Sequence, residues 1–154
     1  MLERRFRCPI AVHLVLIEHN RILLLRRQNT GYSDGMYGLP AGCIDGGESV
    51  TQAMIREAHE ETGLIIKPEA LKVSTILHRN ESKDSWESIV LFFTVEYYEG
   101  EIENREPDKC DDLRFFPLND LPENLIPYVK KGIELTIAGV PFAEFGWERG
   151  QYGI

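Results

Sequence analysis

Glu57, Glu60 and Glu61 are spaced i, i+3 and i+4, so in a helix their carboxylates crowd one face. Like charges at that spacing cost a few tenths of a kcal/mol per pair on an exposed helix, and more when partly buried. Arg56, four residues before Glu60 and eight after Glu48, is placed to neutralise one of them. A divalent cation would neutralise the rest. Mg²⁺ suits such a cluster because it takes hard oxygen ligands and keeps waters that substrate phosphates can replace. His59 is the one soft-leaning ligand nearby, which argues against zinc. Acidic clusters in general are solvated helix faces. The surrounding residues decide between the two readings.

The helix that carries the cluster is marked at both ends. Ser49 with Gln52 three residues later has the form of a capping box, so the helix should begin near Val50. Gly63 is a suitable residue to end it after Thr62. Apolar Val50, Ala53, Met54 and Ala58 form a narrow inward stripe. Upstream, 9–18 and 21–26 read as strands joined at His19–Asn20, 30–38 as a turn-rich loop and 39–45 as a short strand or loop. Downstream, strands are expected at 71–78, 88–98 and 114–118, with an acidic connection over 99–112 and a second helix over 126–138. The aromatic, glycine-rich tail from Val140 has no assignable pattern. Strands flanked by two helices predict an α/β domain of three layers, with residues 1–154 as one domain.

Composition narrows the chemistry further. A chain of 154 residues, 43% hydrophobic and 27% charged, has globular values and enough length to bury a core. A net charge of −8 disfavours a nucleic-acid polymer as partner but leaves room for a small phosphorylated ligand held by local positive charge. Cys8, Cys43 and Cys110 match neither a disulfide framework nor a zinc site. No apolar run has the length of a membrane span, and Glu18 and His19 stand where a signal peptide would be cleaved. A cytoplasmic setting is expected.

The decisive feature is the spacing from Gly42 to Leu64. Gly42, five residues, Glu48, seven residues, then Arg56-Glu57-Ala58-His59-Glu60-Glu61-Thr62-Gly63-Leu64 resembles the Nudix box at every defined position. Seven fixed identities make a chance match on the order of one in 10⁸ per start position. Leu39-Pro40 before the box fits the family as well, whereas Ala41 stands where glycine is usual.

The resemblance to MutT-like Nudix hydrolases implies a Nudix-type α/β/α sandwich with a mixed central sheet. It makes Glu57, Glu60 and Glu61 metal-binding carboxylates, with the Ala41 carbonyl as a further ligand and Glu48–Arg56 as a structural pair. Shorter likenesses add Glu106 as another metal-bound and catalytic glutamate, Arg27 as a phosphate contact and Asn124 as a base contact. Mg²⁺, or Mn²⁺ in its place, would draw in the polyphosphate, polarise phosphoryl oxygens and lower the pKa of the attacking water. Glu60 and Glu106 are the two candidates for general base. The implied reaction is cleavage of a phosphoanhydride in a nucleoside diphosphate linked to another moiety. Because the markers of other subgroups are missing after the box, the first expectation is a nucleoside triphosphate, giving a monophosphate and pyrophosphate. Alternatives are a nucleotide sugar, ADP-ribose or a dinucleoside polyphosphate, or a non-catalytic nucleotide-sensing module, and the chain would act as a monomer or homodimer.

Several other residues have two readings. Cys43 lacks an evident activating base. His13, His19 and His78 carry no ligand spacing and are expected at the surface or in the core. Asp111 and Asp112 are either base-reading or solvated acids, and Tyr32, Tyr37 and Trp86 either stack on a base or pack. Arg26 should face away from Arg27 in an extended strand.

Overall fold

The computed structural model describes residues 5–81 and 86–147, the side chain of Trp86 excepted. A five-stranded mixed sheet runs in the order β5 (Ala41–Cys43), β1 (Ile10–Val15), β7 (Trp86–Val95), β6 (Leu71–Glu81), β9 (Phe142–Phe145). Its β1–β7 and β6–β9 pairs are parallel and the others antiparallel. In a second sheet, β3 (Arg21–Arg27) pairs along its length with β8 (Cys110–Pro117). At its two ends β3 also pairs with β2 (Ile17–Glu18) and β4 (Tyr37–Gly38).

Helices α1 (Val50–Thr62) and α2 (Pro127–Ala138) cover opposite faces. Alternation along the strands divides the apolar residues between them. Val12 and Leu14 of β1, Leu23 of β3 and Phe93 of β7 pack with Ala53, Met54 and Ala58 of α1. Val15, Ile22, Leu24 and Phe92 pack instead with Tyr128, Val129 and Ile133 of α2. This is the expected α/β/α arrangement. Phe92 and Phe93 fall on opposite faces, and so do Phe115 and Phe116.

Both termini of α1 form as the sequence predicts. Ser49 Oγ accepts from the Gln52 N–H at 3.1 Å, and Gln52 Oε1 accepts from the Ser49 N–H at 2.8 Å. Gly63 ends the helix at φ 76°, which L side chains rarely adopt, and its N–H bonds the His59 carbonyl. The turn between β2 and β3 is made by His19 and Asn20 at φ 50° and 57°. Two consecutive left-handed residues match the twist of a tight antiparallel hairpin.

The boundaries shift where pairing overrides composition. β8 starts at Cys110, inside the stretch expected to be a connection, because β3 offers its whole edge. The register slips between Arg26, opposite Asp112, and Arg27, opposite Cys110, leaving Asp111 as an extra residue. The tail supplies β9, whose residues pair with Ile76–Arg79, and the Trp147 indole N–H then bonds the His78 carbonyl at 3.1 Å. Among the described residues no helix is long and apolar enough to cross a membrane.

Replacing the α1 cap should destabilise the fold without altering it. Ser49→Ala is expected to lose about 1 kcal/mol in urea unfolding, or roughly 2–4 °C in melting temperature at this chain length.

Candidate active site

Strand β5 and helix α1 meet edge to face, and glycine is required at the contact. A Cβ on Gly42 would lie 2.0 Å from a Glu57 carboxylate oxygen, so the bare backbone leaves the space that the carboxylate fills. Ala41, the preceding residue, contributes its backbone instead. The Leu14 N–H bonds the Pro40 carbonyl and the Ile44 N–H the Ile10 carbonyl, so alternate residues of β5 face β1. Ala41 therefore directs its N–H and carbonyl away from β1. The N–H donates to Glu61 Oε2 at 2.8 Å. Ala41 has no positive φ, so a side chain is tolerated where the family usually has glycine.

Arg56 ties the preceding loop to the helix. Its Nε and one terminal nitrogen hold both oxygens of Glu48, at 3.0 and 2.6 Å. The other terminal nitrogen donates to Glu57 at 2.7 Å and reaches Glu60 at 3.4 Å. Glu48 also accepts from the Asp45 N–H at 2.7 Å, so the pair fixes the turn that leads into α1. The Arg56 hydrogen bond holds the Glu48 carboxyl at about 2, well below its usual range. Glu57 and Glu61 shift the other way. Burial is the main cause for both, opposed by Arg56 for Glu57 and by the Ala41 N–H for Glu61, and the neighbouring Glu106 adds to the rise. The shift is the larger at Glu61, which Glu57 also raises.

These carboxylates open into a cavity of about 570 Å³. Glu57, Glu60, Glu61 and Glu106 line it together with Arg27 and Lys109, and Glu57, Glu106 and Arg27 act electrostatically on Glu61. The turn 106–110 delivers Glu106: its carbonyl accepts from the Lys109 and Cys110 N–H groups, both at 2.9 Å. Arg27 is held by the Tyr32 carbonyl at 2.8 Å and the Thr30 hydroxyl at 3.1 Å. Arg26 points away, as expected, into an ion pair with Asp111 at 2.7 Å.

The structure does not bring every expected residue to this cavity. Asn124 is absent from the lining, and its amide donates to the Gly35 carbonyl at 2.8 Å. Asp112 accepts from the Tyr37 hydroxyl and from Arg114, and Tyr37 is buried against Phe116, so these groups serve packing. His19 lies in the hairpin turn, and His78 pairs with Glu87 at 2.9 Å. Cys43 lines the cavity, but burial pushes its thiol up, the opposite of activation. Tyr32 lines the cavity; the Trp86 side chain lies outside the described residues.

Among the lining residues that were not singled out as site residues from sequence are His13, Arg79, Ser88 and Lys109. Arg79 had a readable signal. In the strand Leu71–Glu81, Thr75, Leu77 and Arg79 alternate onto the buried face, so a charge occupies an inward position. His13 stands likewise among inward residues of β1. Ser88 and Lys109 carry no such signal.

The donor set has the chemistry a hard divalent cation requires: four carboxylates and an outward-facing backbone carbonyl on residues that line one cavity. Among the described residues no three acids, histidines or cysteines stand in a preformed ion cage. Arg56 occupies one oxygen of Glu57 and the Ala41 N–H one oxygen of Glu61. The second oxygen of each has no hydrogen bond among the described residues. Two raised, mutually repelling carboxylates are the environment that a counter-cation relieves.

Comparison with known proteins agrees with this geometry. The NUDIX domain family matches residues 7–136, and the chain belongs to the Nudix hydrolase family. It is 32% identical over 115 residues to an ADP-ribose pyrophosphatase of Methanocaldococcus jannaschii, spanning 74% of this chain and 64% of that protein. It is 34% identical over 112 residues to the NAD-capped RNA hydrolase NudC of Stutzerimonas stutzeri, spanning 71% of this chain and 37% of the relative. The chain thus spans less than two thirds of either relative. Among solved structures, a MutT NUDIX hydrolase from Burkholderia pseudomallei superposes with a TM-score of 0.77 at 25% identity, covering 84% of this chain and 98% of that one. The NUDIX domain of Shewanella oneidensis NrtR shares the fold, with a TM-score of 0.70 at 22% identity over 90% of this chain and 92% of that one.

The contact at Gly42 gives a test that separates site from scaffold. Gly42→Ala meets only the far end of a flexible side chain, so unfolding free energy should change by about 1 kcal/mol or less. It should nevertheless displace Glu57 and weaken the melting-temperature rise caused by Mg²⁺, as read by calorimetric melting with and without the ion.

Proposed function

We propose that this chain is a divalent-cation-dependent hydrolase of a nucleoside diphosphate linked to a second moiety, with ADP-ribose-type compounds ahead of nucleoside triphosphates. One observation carries this reading: Glu57, Glu60, Glu61 and Glu106 line the same cavity as Arg27 and Lys109. Acids alone would repel a polyphosphate, and bases alone would bind it without turnover. The name of the archaeal relative moves ADP-ribose ahead of the triphosphate that the sequence first suggested.

In this reading Glu57 and Glu61, with the Ala41 carbonyl, hold the cation. A bound Mg²⁺ or Mn²⁺ would neutralise the carboxylates and polarise phosphoryl oxygens. Arg27 binds the phosphate oxygens and holds the chain in line for attack. Glu60, with its side chain 48% exposed, and Glu106 are the groups left to accept a proton from water. Glu48 and Arg56 position the helix and take no part in proton transfer.

Two outcomes are expected. With Mg²⁺, ADP-ribose is cleaved to AMP and ribose 5-phosphate, and Glu61→Gln lowers kcat by at least about 10²-fold. The panel for product release by chromatography includes nucleoside triphosphates, NADH, NAD-capped RNA and dinucleoside polyphosphates. Turnover of another member replaces the substrate assignment, whereas silence across the panel with tight nucleotide binding supports a sensor module.

The second outcome concerns pH. The folded state raises the Glu57 and Glu61 pKa values above the usual 4.5. Their contribution to stability is therefore fully present below that value and is lost as pH rises through the raised ones. Cation binding requires the deprotonated forms. The Mg²⁺-induced rise in melting temperature should be small near pH 5 and grow toward pH 8, and a reversed trend would contradict the assignment.

A further inference from the structure

Two arginines and two tyrosines that line the cavity alternate in one chain of contacts. The Arg27 guanidinium carbon lies 5.4 Å from the centroid of the Tyr32 ring, and that of Arg79 lies 5.7 Å from the same ring. Arg79 also stands 3.8 Å from the centroid of Tyr128, whose hydroxyl shares a hydrogen bond of 3.0 Å with His13 Nε2. Each contact is within reach of a cation–π attraction. Two guanidiniums therefore share one ring.

Charge separates their roles. Arg79 is 6% exposed, and its terminal nitrogen pairs with Glu81 at 2.7 Å, so its charge is compensated. Arg27 makes no ion pair among the described residues and donates to neutral oxygens instead. Its Nε bonds the Tyr32 carbonyl at 2.8 Å and a terminal nitrogen bonds the Thr30 hydroxyl at 3.1 Å. His13 adds no third charge, because burial and the charges of Arg79 and Arg27 lower its pKa to about 3. Arg27 alone of this group keeps its charge for an anion.

The loop that holds Arg27 is shaped from within and placed from outside. Asp34 accepts from the Thr30 and Gly31 N–H groups, both at 3.0 Å, and from the Thr30 hydroxyl. Those bonds fix the shape of the loop but not its position. From outside, the Asn124 amide donates to the Gly35 carbonyl at 2.8 Å, and an Arg79 terminal nitrogen donates to the Tyr32 hydroxyl. The second bond bears directly on Arg27. Tyr32 carries both the hydroxyl that Arg79 holds and the carbonyl that holds Arg27 Nε. Arg79 belongs to the five-stranded sheet and Arg27 to the other, so Tyr32 links the two sheets.

We propose that Tyr32 and Arg79 are positioning residues: Arg79, anchored on Glu81 and Tyr128, holds the Tyr32 hydroxyl, and Tyr32 thereby aims the Arg27 guanidinium at the substrate's diphosphate. The inference rests on the hydrolase reading for the role of Arg27, though not for the contacts that place it. Orientation matters here because a misplacement of about 1 Å can cost on the order of 10²-fold in rate.

Tyr32→Phe keeps the ring and removes only the hydroxyl. Its first readout is the Arg27 Nε–H signal in NMR, assigned by its absence from Arg27→Ala. In Tyr32→Phe that proton should exchange with water about fivefold faster or more, as expected for the weakening of one hydrogen bond. The second readout is calorimetric titration with inorganic pyrophosphate and Mg²⁺. Tyr32→Phe should weaken binding about fivefold, and Arg79→Lys should do the same, since a lysine cannot bridge Glu81 and the hydroxyl as the guanidinium does. In the Arg27→Ala background, Tyr32→Phe should change binding by less than about twofold, which a general loss of structure would not produce. Unchanged exchange in the folded Tyr32→Phe protein overturns the proposal. So does a fivefold loss that persists without Arg27, because the hydroxyl would then act independently. If Arg27→Ala binds pyrophosphate like wild type, the phosphate role of Arg27 fails, while the exchange rate still decides whether Tyr32 and Arg79 place its guanidinium.

Discussion

The guanidinium of Arg56 is shared between a loop and a helix, and the position of every catalytic candidate on α1 depends on that sharing. Its fork grips both oxygens of Glu48 in the loop, while its remaining nitrogen holds Glu57 one residue along the helix. A lysine could not do this, because a point charge cannot hold a carboxylate in two parallel bonds and reach a second one. The consequence extends to β5. Once the loop is fixed, Gly42 lies against the Glu57 carboxylate and the Ala41 N–H meets Glu61. Two acids are thereby pressed into a partly buried wall where water alone would not hold them.

That arrangement is unfavourable by itself. Burial raises the pKa of both Glu57 and Glu61, and the nearby acids raise them further. One positive charge on Arg56 offsets only part of the acidity, and the Glu48 pair already draws on it. In the proposed reading function and instability have the same origin: the fold holds the wall in a state that a divalent cation would complete. Other lining residues follow a different rule, with Arg79 compensated by Glu81 and His13 kept neutral. Strand alternation makes both arrangements compatible with one fold. It sends Val12 and Leu14 to the α1 core while Ala11 and His13 face the cavity.

How much of this the sequence disclosed depended on whether the signal was local. Helix α1 could be read to its ends because Ser49, Gln52 and Gly63 are local devices. The carboxylate cluster was legible because its spacing lies within one helix. The extent of β8 was not, since Cys110–Asp112 resemble a turn until β3 supplies an edge. The tail was equally opaque, because β9 is defined by its parallel partner β6 and not by its own composition. Asn124 was expected at the base, yet a hydrogen bond to Gly35, 89 residues away in the chain, takes its amide. His13 and Ser88 line the cavity from two different strands, β1 and β7, and no spacing in the chain encodes that. Arg79 could have been found, as a charge on the inward side of an alternating strand.

The central claim is that the α1 carboxylates bind a divalent cation at the end of the cavity. A Mn²⁺ titration followed by electron paramagnetic resonance tests this without a substrate. The account predicts saturable loss of the free-ion signal with the wild-type protein, and little or none with Glu57→Gln/Glu61→Gln under the same conditions. Equal Mn²⁺ uptake by the folded double variant would contradict it, and the acidic face of α1 would then be a solvated surface.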